Sequence, residues 1–183
     1  MKQIILAQRY AKALFSIARD EGRIEEYGAE LDAFLGLVAG TPALADALGN
    51  PLYPLAAREA VFSAVAEKAG FSQVMKGFLV LVLRKGRMGH LREIAECYGA
   101  LSDAHRNIAR AVVSAPVPLP EATLSDIASG LSSLTGKKVA VQFRVAPELI
   151  GGVVAQIGDM VIDGSVRTQL QKIKETLKKG GLG

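Results

Sequence analysis

The stretch IARAVVSAPVPLP, residues 108–120, divides the chain into two textures. Ile108 to Ala115 is rich in Val and Ala, and Pro116, Pro118 and Pro120 alternate behind it. Proline fixes φ and removes an amide donor, so three in five residues forbid helix and stiffen the chain towards polyproline II. Apolar residues before this stretch recur at helical spacing; after it, helical spacing mixes with strict alternation. The predicted fold is mainly α: a six-helix N-terminal bundle over residues 1–106, followed by a small α+β C-terminal domain over residues 107–183.

Working back towards the amino terminus, the sixth helix carries Leu91, Ile94, Tyr98, Leu101, His105 and Ile108 at 3-4-3-4-3 spacing. Ser72 to Leu83 is apolar nearly all round, which predicts the most enclosed helix of the bundle. Leu55–Lys68, Ala43–Leu48 and Ile24–Val38 precede it, separated by Gly- and Pro-bearing breaks such as Gly40-Thr41-Pro42 and Gly49-Asn50-Pro51. The first helix, Lys2 to Arg19, carries two apolar stripes. One is Leu6, Tyr10, Ala13, Leu14 and Ile17; the other is Ala7, Ala11, Phe15 and Ala18. One stripe is enough to dock a helix on its own core, so two point to contact on two sides.

Forward of the prolines, Glu121–Leu134 reads as a modest helix. Val139, Val141, Phe143 and Val145 alternate with Ala140, Gln142 and Arg144, a half-buried strand. Gly152–Ile157 reads as a second strand, Gly158-Asp159 as a turn and Met160–Ile162 as a short third strand. Ser165 can cap a last helix whose apolar residues Val166, Leu170, Ile173 and Leu177 are spaced 4, 3, 4. That line should pack on the small sheet or on a partner helix.

Composition narrows the functional classes. The 183 residues are 50% apolar and 22% charged, enough to bury a core and too apolar for long disorder. The longest apolar run without Gly, Phe78–Leu83, is far short of the ~20 residues a spanning helix needs. Ile4–Ala7 is too short for the apolar region of a secretory signal, which makes a reducing interior the expected compartment. The net charge is +4, but residues 163–183 hold five basic and two acidic residues, 5 − 2 = +3 of it. A basic helix at one end of a nearly neutral chain is not a phosphate-binding face, and a small basic nucleic-acid-binding protein is only the alternative reading.

No catalytic, cofactor-binding or metal-binding set emerges. Gly136-Lys137 lacks the Gly five positions earlier and the following Ser or Thr of a phosphate loop. Gly151-Gly152 precedes a strand where a dinucleotide site needs a helix, so a tight turn or close backbone approach explains it better. Asp159 and Asp163 could share a face, yet no His, Ser or Cys pattern in that segment supports acid–base work. Asp beside Gly is ordinary turn chemistry. His90 and His105 have no partners at metal spacing; His105 lies on an apolar stripe, the place of a hydrogen-bonded core histidine. Cys97 is the single cysteine and reads as a small core hydrophobe.

Two segments carry a resemblance. Arg9-Tyr10-Ala11-Lys12-Ala13-Leu14-Phe15 resembles the opening helix of the F-type ATP synthase delta subunit family, which includes the mitochondrial oligomycin-sensitivity-conferring protein. Pro147 to Val166, PELIGGVVAQIGDMVIDGSV, is similar to that family's carboxy-terminal signature almost throughout. Gly86-Arg87 and the Val112–Pro118 passage fall where the family has similar residues. Lys85 and Ala146 depart from its commoner Asn and Asp, both at turns.

The resemblance implies a non-catalytic peripheral-stalk (stator) subunit without cofactor, one copy per proton-translocating ATP synthase. It implies attachment to the membrane only through the complex, at the cytoplasmic face of the bacterial inner membrane. It implies an amino-terminal bundle that binds amino-terminal helices of the alpha subunits, chiefly through the first and fifth helices. It also implies a second domain that meets the carboxy-terminal ends of b-type stalk subunits, so that the catalytic head does not spin with the rotor. With the doubled stripe of helix 1 and the all-round apolar helix 5, this points to a helix-in-groove site. Its expected lining is Tyr10, Ala13, Leu14, Leu81 and Val82. The other reading, that both helices are simply central in the bundle, stays open at this point. For the stalk, Lys172, Lys174, Lys178 and Lys179 are the expected contributors, through charge.

Overall fold

A computed structural model of the chain describes the backbone of residues 2–180, with side chains described for residues 5–172 and 174. The chain divides into two compact units, Met1–Asp103 and Ala104–Gly183. The first is built from six helices: α1 (Lys2–Asp20), α2 (Ile24–Gly40), α3 (Pro42–Gly49), α4 (Leu55–Lys68), α5 (Gln73–Arg84) and α6 (Leu91–His105), with a 3₁₀ turn at Met88–His90.

Their apolar faces meet in one core. Ala7, Ala11, Leu14 and Ala18 of α1 join Tyr27, Leu31 and Phe34 of α2, Phe62 of α4, and Met75, Leu79 and Val82 of α5. Phe34 stands edge-on to Phe62 and to Phe71, with ring centroids 5.7 and 6.1 Å apart. Such pairs add about 0.5–1.5 kcal/mol beyond their buried area. The helices are also fastened to one another at their ends. Ser72 Oγ accepts from Met75 N at 3.2 Å and donates to Glu30 Oε2 at 2.7 Å, so the N-cap of α5 is tied to α2. Buried Arg58 donates through Nε to the Leu48 carbonyl at 3.1 Å, placing a cation on the carbonyl end of α3. After α5, Gly86 takes φ 64°. Arg87 N bonds Val82 O and Gly86 N bonds Leu83 O, both at 2.9 Å, the paired closure of a Schellman stop.

The second unit holds β1 (Ile108–Ala115), α7 (Glu121–Thr135), β2 (Lys138–Val145), β3 (Val154–Ile157), β4 (Met160–Asp163) and α8 (Val166–Gly180). The sheet order is β2-β1-β3-β4, with β1–β2 parallel and the other two pairings antiparallel. A parallel pair needs a crossover, and α7 supplies it after the prolines have ended β1. Leu124, Ile127 and Leu131 of α7 pack with Val113, Val141, Phe143 and Ala155 in the unit's own core.

Four features differ from the sequence expectations. Ile108–Ala115 is the central strand, whereas the sequence marked it only as a change of texture. Ile108 therefore does not extend the sixth helix: Asn107 adopts a left-handed φ of 55°, which ends α6 and sends Ile108 into β1. His105 is exposed rather than buried, because the α6 residues in the core are Leu91, Ile94 and Tyr98, two turns earlier. The second strand begins at Val154, since Gly152 is held at φ 85° against the backbone of Gly164.

Candidate partner-binding surfaces

The buried line of α1 is drawn from both of its stripes, taking Leu14 from the first and the alanines from the second, with Phe15 and Tyr10 half-buried against the core. Ala7, Ala11, Leu14 and Ala18 are fully buried, spaced 4, 3, 4. The residues one position earlier, Leu6, Tyr10, Ala13 and Ile17, form a parallel line that faces outward: Leu6 and Tyr10 are half-buried and Ala13 and Ile17 are exposed. Small alanines on the inner line let α1 sit close to its neighbours, which leaves the larger side chains on the outer one. Arg9 and Lys12 are exposed on the same helix, so cations accompany that line.

On α5, Met75, Phe78, Leu79, Val82 and Leu83 turn inward. Leu81 is 46% exposed, and half-buried Val74 and exposed Gly77 share its outward line at spacings of 3 and 4. The five residues expected to line a groove thus separate. Tyr10, Ala13 and Leu81 reach the surface. Leu14 and Val82 lie at 0% exposure inside the bundle's own core, and this corrects their expected place in the lining. The reason is helical phase: Leu14 follows Ala13 and Val82 follows Leu81, and a step of about 100° carries the side chain from the outer face to the inner one.

Among the described residues of this unit, depressions open at two places. A cleft of about 450 Å³ is lined by Leu35, Val38, Pro42, Leu48, Met88 and Arg92, among others. A smaller one of about 220 Å³ lies between α1 and α6, with Gln8, Lys12, Cys97, Ala100 and Leu101 around it. Cys97 is half-buried beside the core.

In the second unit the start of α8 is a built joint. Ser165 Oγ accepts from Thr168 N at 3.3 Å as the N-cap. Asp163 accepts from Ser165 N and from Thr168 Oγ1, each at 2.8 Å. Hydrogen bonds from Ser165, then Thr168, with Lys172 nearby, hold the Asp163 carboxyl below its usual range. Val166 N bonds Gly151 O at 3.0 Å. At Gly152 a Cβ would stand 2.4 Å from Gly164 O, so the signature glycine is required for two backbone segments to touch. Asp163 is thus a helix-capping group. Asp159 sits in the β3–β4 turn, and no cluster of three metal-ligating side chains exists among the described residues.

Beyond this joint the described residues of the α8 apolar line, Val166 and Leu170, are open to solvent. Val166 is 41% and Leu170 60% exposed. These two residues are not covered by the sheet, which leaves a partner helix as their expected cover; Ile173 and Leu177 lie outside the described side chains. Lys172 and Lys174 are exposed, while Lys178 and Lys179 also lie outside the described side chains.

Residues 6–177 match the family model described as ATP synthase delta (OSCP) subunit. The chain is 50% identical to ATP synthase subunit delta of Syntrophobacter fumaroxidans over 183 residues, the whole of both chains. It is 46% identical to ATP synthase subunit delta of Desulfatibacillum aliphaticivorans over 179 residues, 98% of each. In fold it resembles a chain of the Toxoplasma gondii mitochondrial ATP synthase hexamer, with TM-score 0.69 at 20% identity over 94% of this chain and 97% of that one. A chain of the Polytomella F-ATP synthase matches with TM-score 0.51 at 24% identity over 54% of this chain and 87% of that one. None of these matches supports the nucleic-acid alternative.

Proposed function

The chain belongs to the ATP synthase delta (OSCP) subunit family, and from that premise we propose how its two units divide the work of a stator. It is a non-catalytic peripheral-stalk subunit of an F-type ATP synthase. No single helix among the described residues is long and apolar enough to cross a membrane. In this reading the membrane connection runs through other subunits, with this one at the cytoplasmic face of the bacterial inner membrane, in one copy per complex.

The first unit binds amino-terminal helices of the alpha subunits. The observation that carries this reading is the outer line of α1: Ala13 and Ile17 are exposed and Leu6 and Tyr10 only half-buried after the inner line has completed the core. An amphipathic helix laid along it would bury that apolar surface, with Tyr10 as the large anchor and Ala13 allowing close approach. Leu81 of α5 offers a second uncovered side chain of the same chemistry.

The second unit receives the carboxy-terminal ends of the b-type stalk subunits. Exposed Val166 and Leu170 and the lysines of α8 support this assignment. Single exposed ion pairs are worth only about 0.2–1 kcal/mol, but several cations together speed association in a salt-sensitive way.

Two binding measurements test the division. Intact catalytic heads should be captured by the immobilised chain, and heads lacking the alpha amino termini should not. Replacing Lys172, Lys174, Lys178 and Lys179 with Gln should slow stalk association at low salt and leave alpha-peptide affinity unchanged. Equal capture of truncated heads, or stalk association indifferent to both the substitutions and salt, would overturn the corresponding half.

A further inference from the structure

The sheet of the second unit has two faces of different character. Pairing register puts Val139, Val141, Phe143, Ala111, Val113, Ala155 and Ile162 on the face that α7 covers. On the other face one row crosses all four strands: Gln142, Val112, Gln156 and Val161. The next row is Arg144, Ser114, Val154 and Asp163, and on the far side stand Ala140 and Arg110, then Lys138 and Ile108. Most of this face is open: Arg110, Gln142, Arg144 and Gln156 are exposed, Val112 is 37% exposed in the middle of the central strand, and Val161 is 58% exposed.

A solvent-facing protein surface ordinarily intersperses charges of both signs. Here every charged residue of the four strands lies on this one face, and three of the four, Lys138, Arg110 and Arg144, are cations. The single carboxylate, Asp163, is already engaged by Ser165 and Thr168. The middle row alternates Gln142, Val112, Gln156 and Val161, with short Ala140, Ser114 and Val154 in the rows beside it, and the cations lie on β1 and β2. Three strand spacings of about 4.8 Å set the outer strands about 14 Å apart, and a helix with its side chains is about 10–12 Å across. The floor fits one helix.

We propose that this open face, with Val112 and Val161 as its apolar positions and Lys138 and Arg144 along edge strand β2, seats an acidic amphipathic helix of the stalk. It rests on the reading that the second unit receives the stalk, and adds to α8 a second, separate surface with a stated partner chemistry. The partner helix places an apolar ridge on Val112 and Val161 and directs carboxylates towards Lys138 and Arg144.

The test uses the full chain and the soluble part of a b-type stalk subunit. Val161→Glu on edge strand β4 and Arg144→Glu on edge strand β2 should each weaken binding about tenfold or more. The Arg144→Glu effect should shrink as salt rises and the Val161→Glu effect should persist. Leu134→Glu, on exposed α7 at the covered side of the sheet, should bind as the wild type does. Arg144 is exposed, so its reversal keeps the test valid where Val161→Glu fails to fold. Wild-type binding by both face variants, alongside slowed binding by the α8 lysine variant, would overturn this surface and leave the stalk reading standing. A wild-type chain that binds no stalk subunit would overturn both. Face variants that changed self-association or DNA retention instead of stalk binding would likewise overturn it.

Discussion

Neighbouring residues in this chain have opposite assignments. Leu14 is sealed in the core and Ala13 beside it faces out; Val82 is sealed and Leu81 beside it is 46% exposed. Leu14→Ala should therefore cost about 2–5 kcal/mol in unfolding free energy, as core truncations do. Leu81→Asp should leave stability within about 0.5 kcal/mol and weaken an alpha amino-terminal peptide by about 1 kcal/mol or more. Denaturant melts paired with peptide titrations separate the two roles, and the reverse pattern would relocate the binding line. Tyr98 makes a further prediction at this scale. Its hydroxyl donates to Ile24 O at 2.7 Å, its ring meets Phe15 edge-on at 6.0 Å, and Gly28 lies against it where a Cβ would come within 3.3 Å. Burial pushes the phenol from 10.0 up to about 12. The unfolded chain ionises first, so Tyr98 adds stability that is complete below pH 10 and is lost as pH rises from there through about 12. Thermal melts across that window should fall less steeply for Tyr98→Phe than for the wild type.

At the scale of elements, the joint before α8 carries the sharpest expectation. Gly152 combines φ 85° with backbone atoms of Gly164 and Ser165 at 2.4 and 2.8 Å from any added Cβ. Gly152→Ala must displace main chain and adopt a left-handed conformation, so it should destabilise the second unit by more than about 1 kcal/mol. Amide exchange should show early loss of protection in β3, β4 and α8, with the first unit unchanged; uniform protection would refute the close approach. The joint was legible as a pair of glycines, because tight turns and close backbone contacts both call for that residue. Which of the two operates needed the position of Gly164, a dozen residues away. The central strand was less legible still. Its buried Ala111, Val113 and Ala115 alternate with Arg110, Val112 and Ser114, but small residues give weak β-propensity, and the adjoining helical phase ran on through Ile108. The left-handed turn at Asn107, a conformation that Asn tolerates better than most residues, breaks that phase.

At the scale of the whole molecule, the two units carry separate cores. Every helix of the first can satisfy its apolar face within that unit, so a fragment of residues 1–106 should melt cooperatively and give dispersed amide signals by itself. A fragment that shows neither would place part of its core in the second unit. Helical and alternating periodicities determined by themselves that the first hundred residues form a helical bundle and the remainder a small α+β unit, because burial of apolar surface selects period 3.6 or period 2 locally. The long motif from Pro147 to Val166 carried family membership in the same way. Only the tertiary structure decided which residues of α1 are spent on the core, that Val166 and Leu170 of α8 stay exposed, and that every charge of the sheet lies on one face. Those outcomes depend on which neighbour lies against each face, and a one-dimensional period does not encode the neighbour.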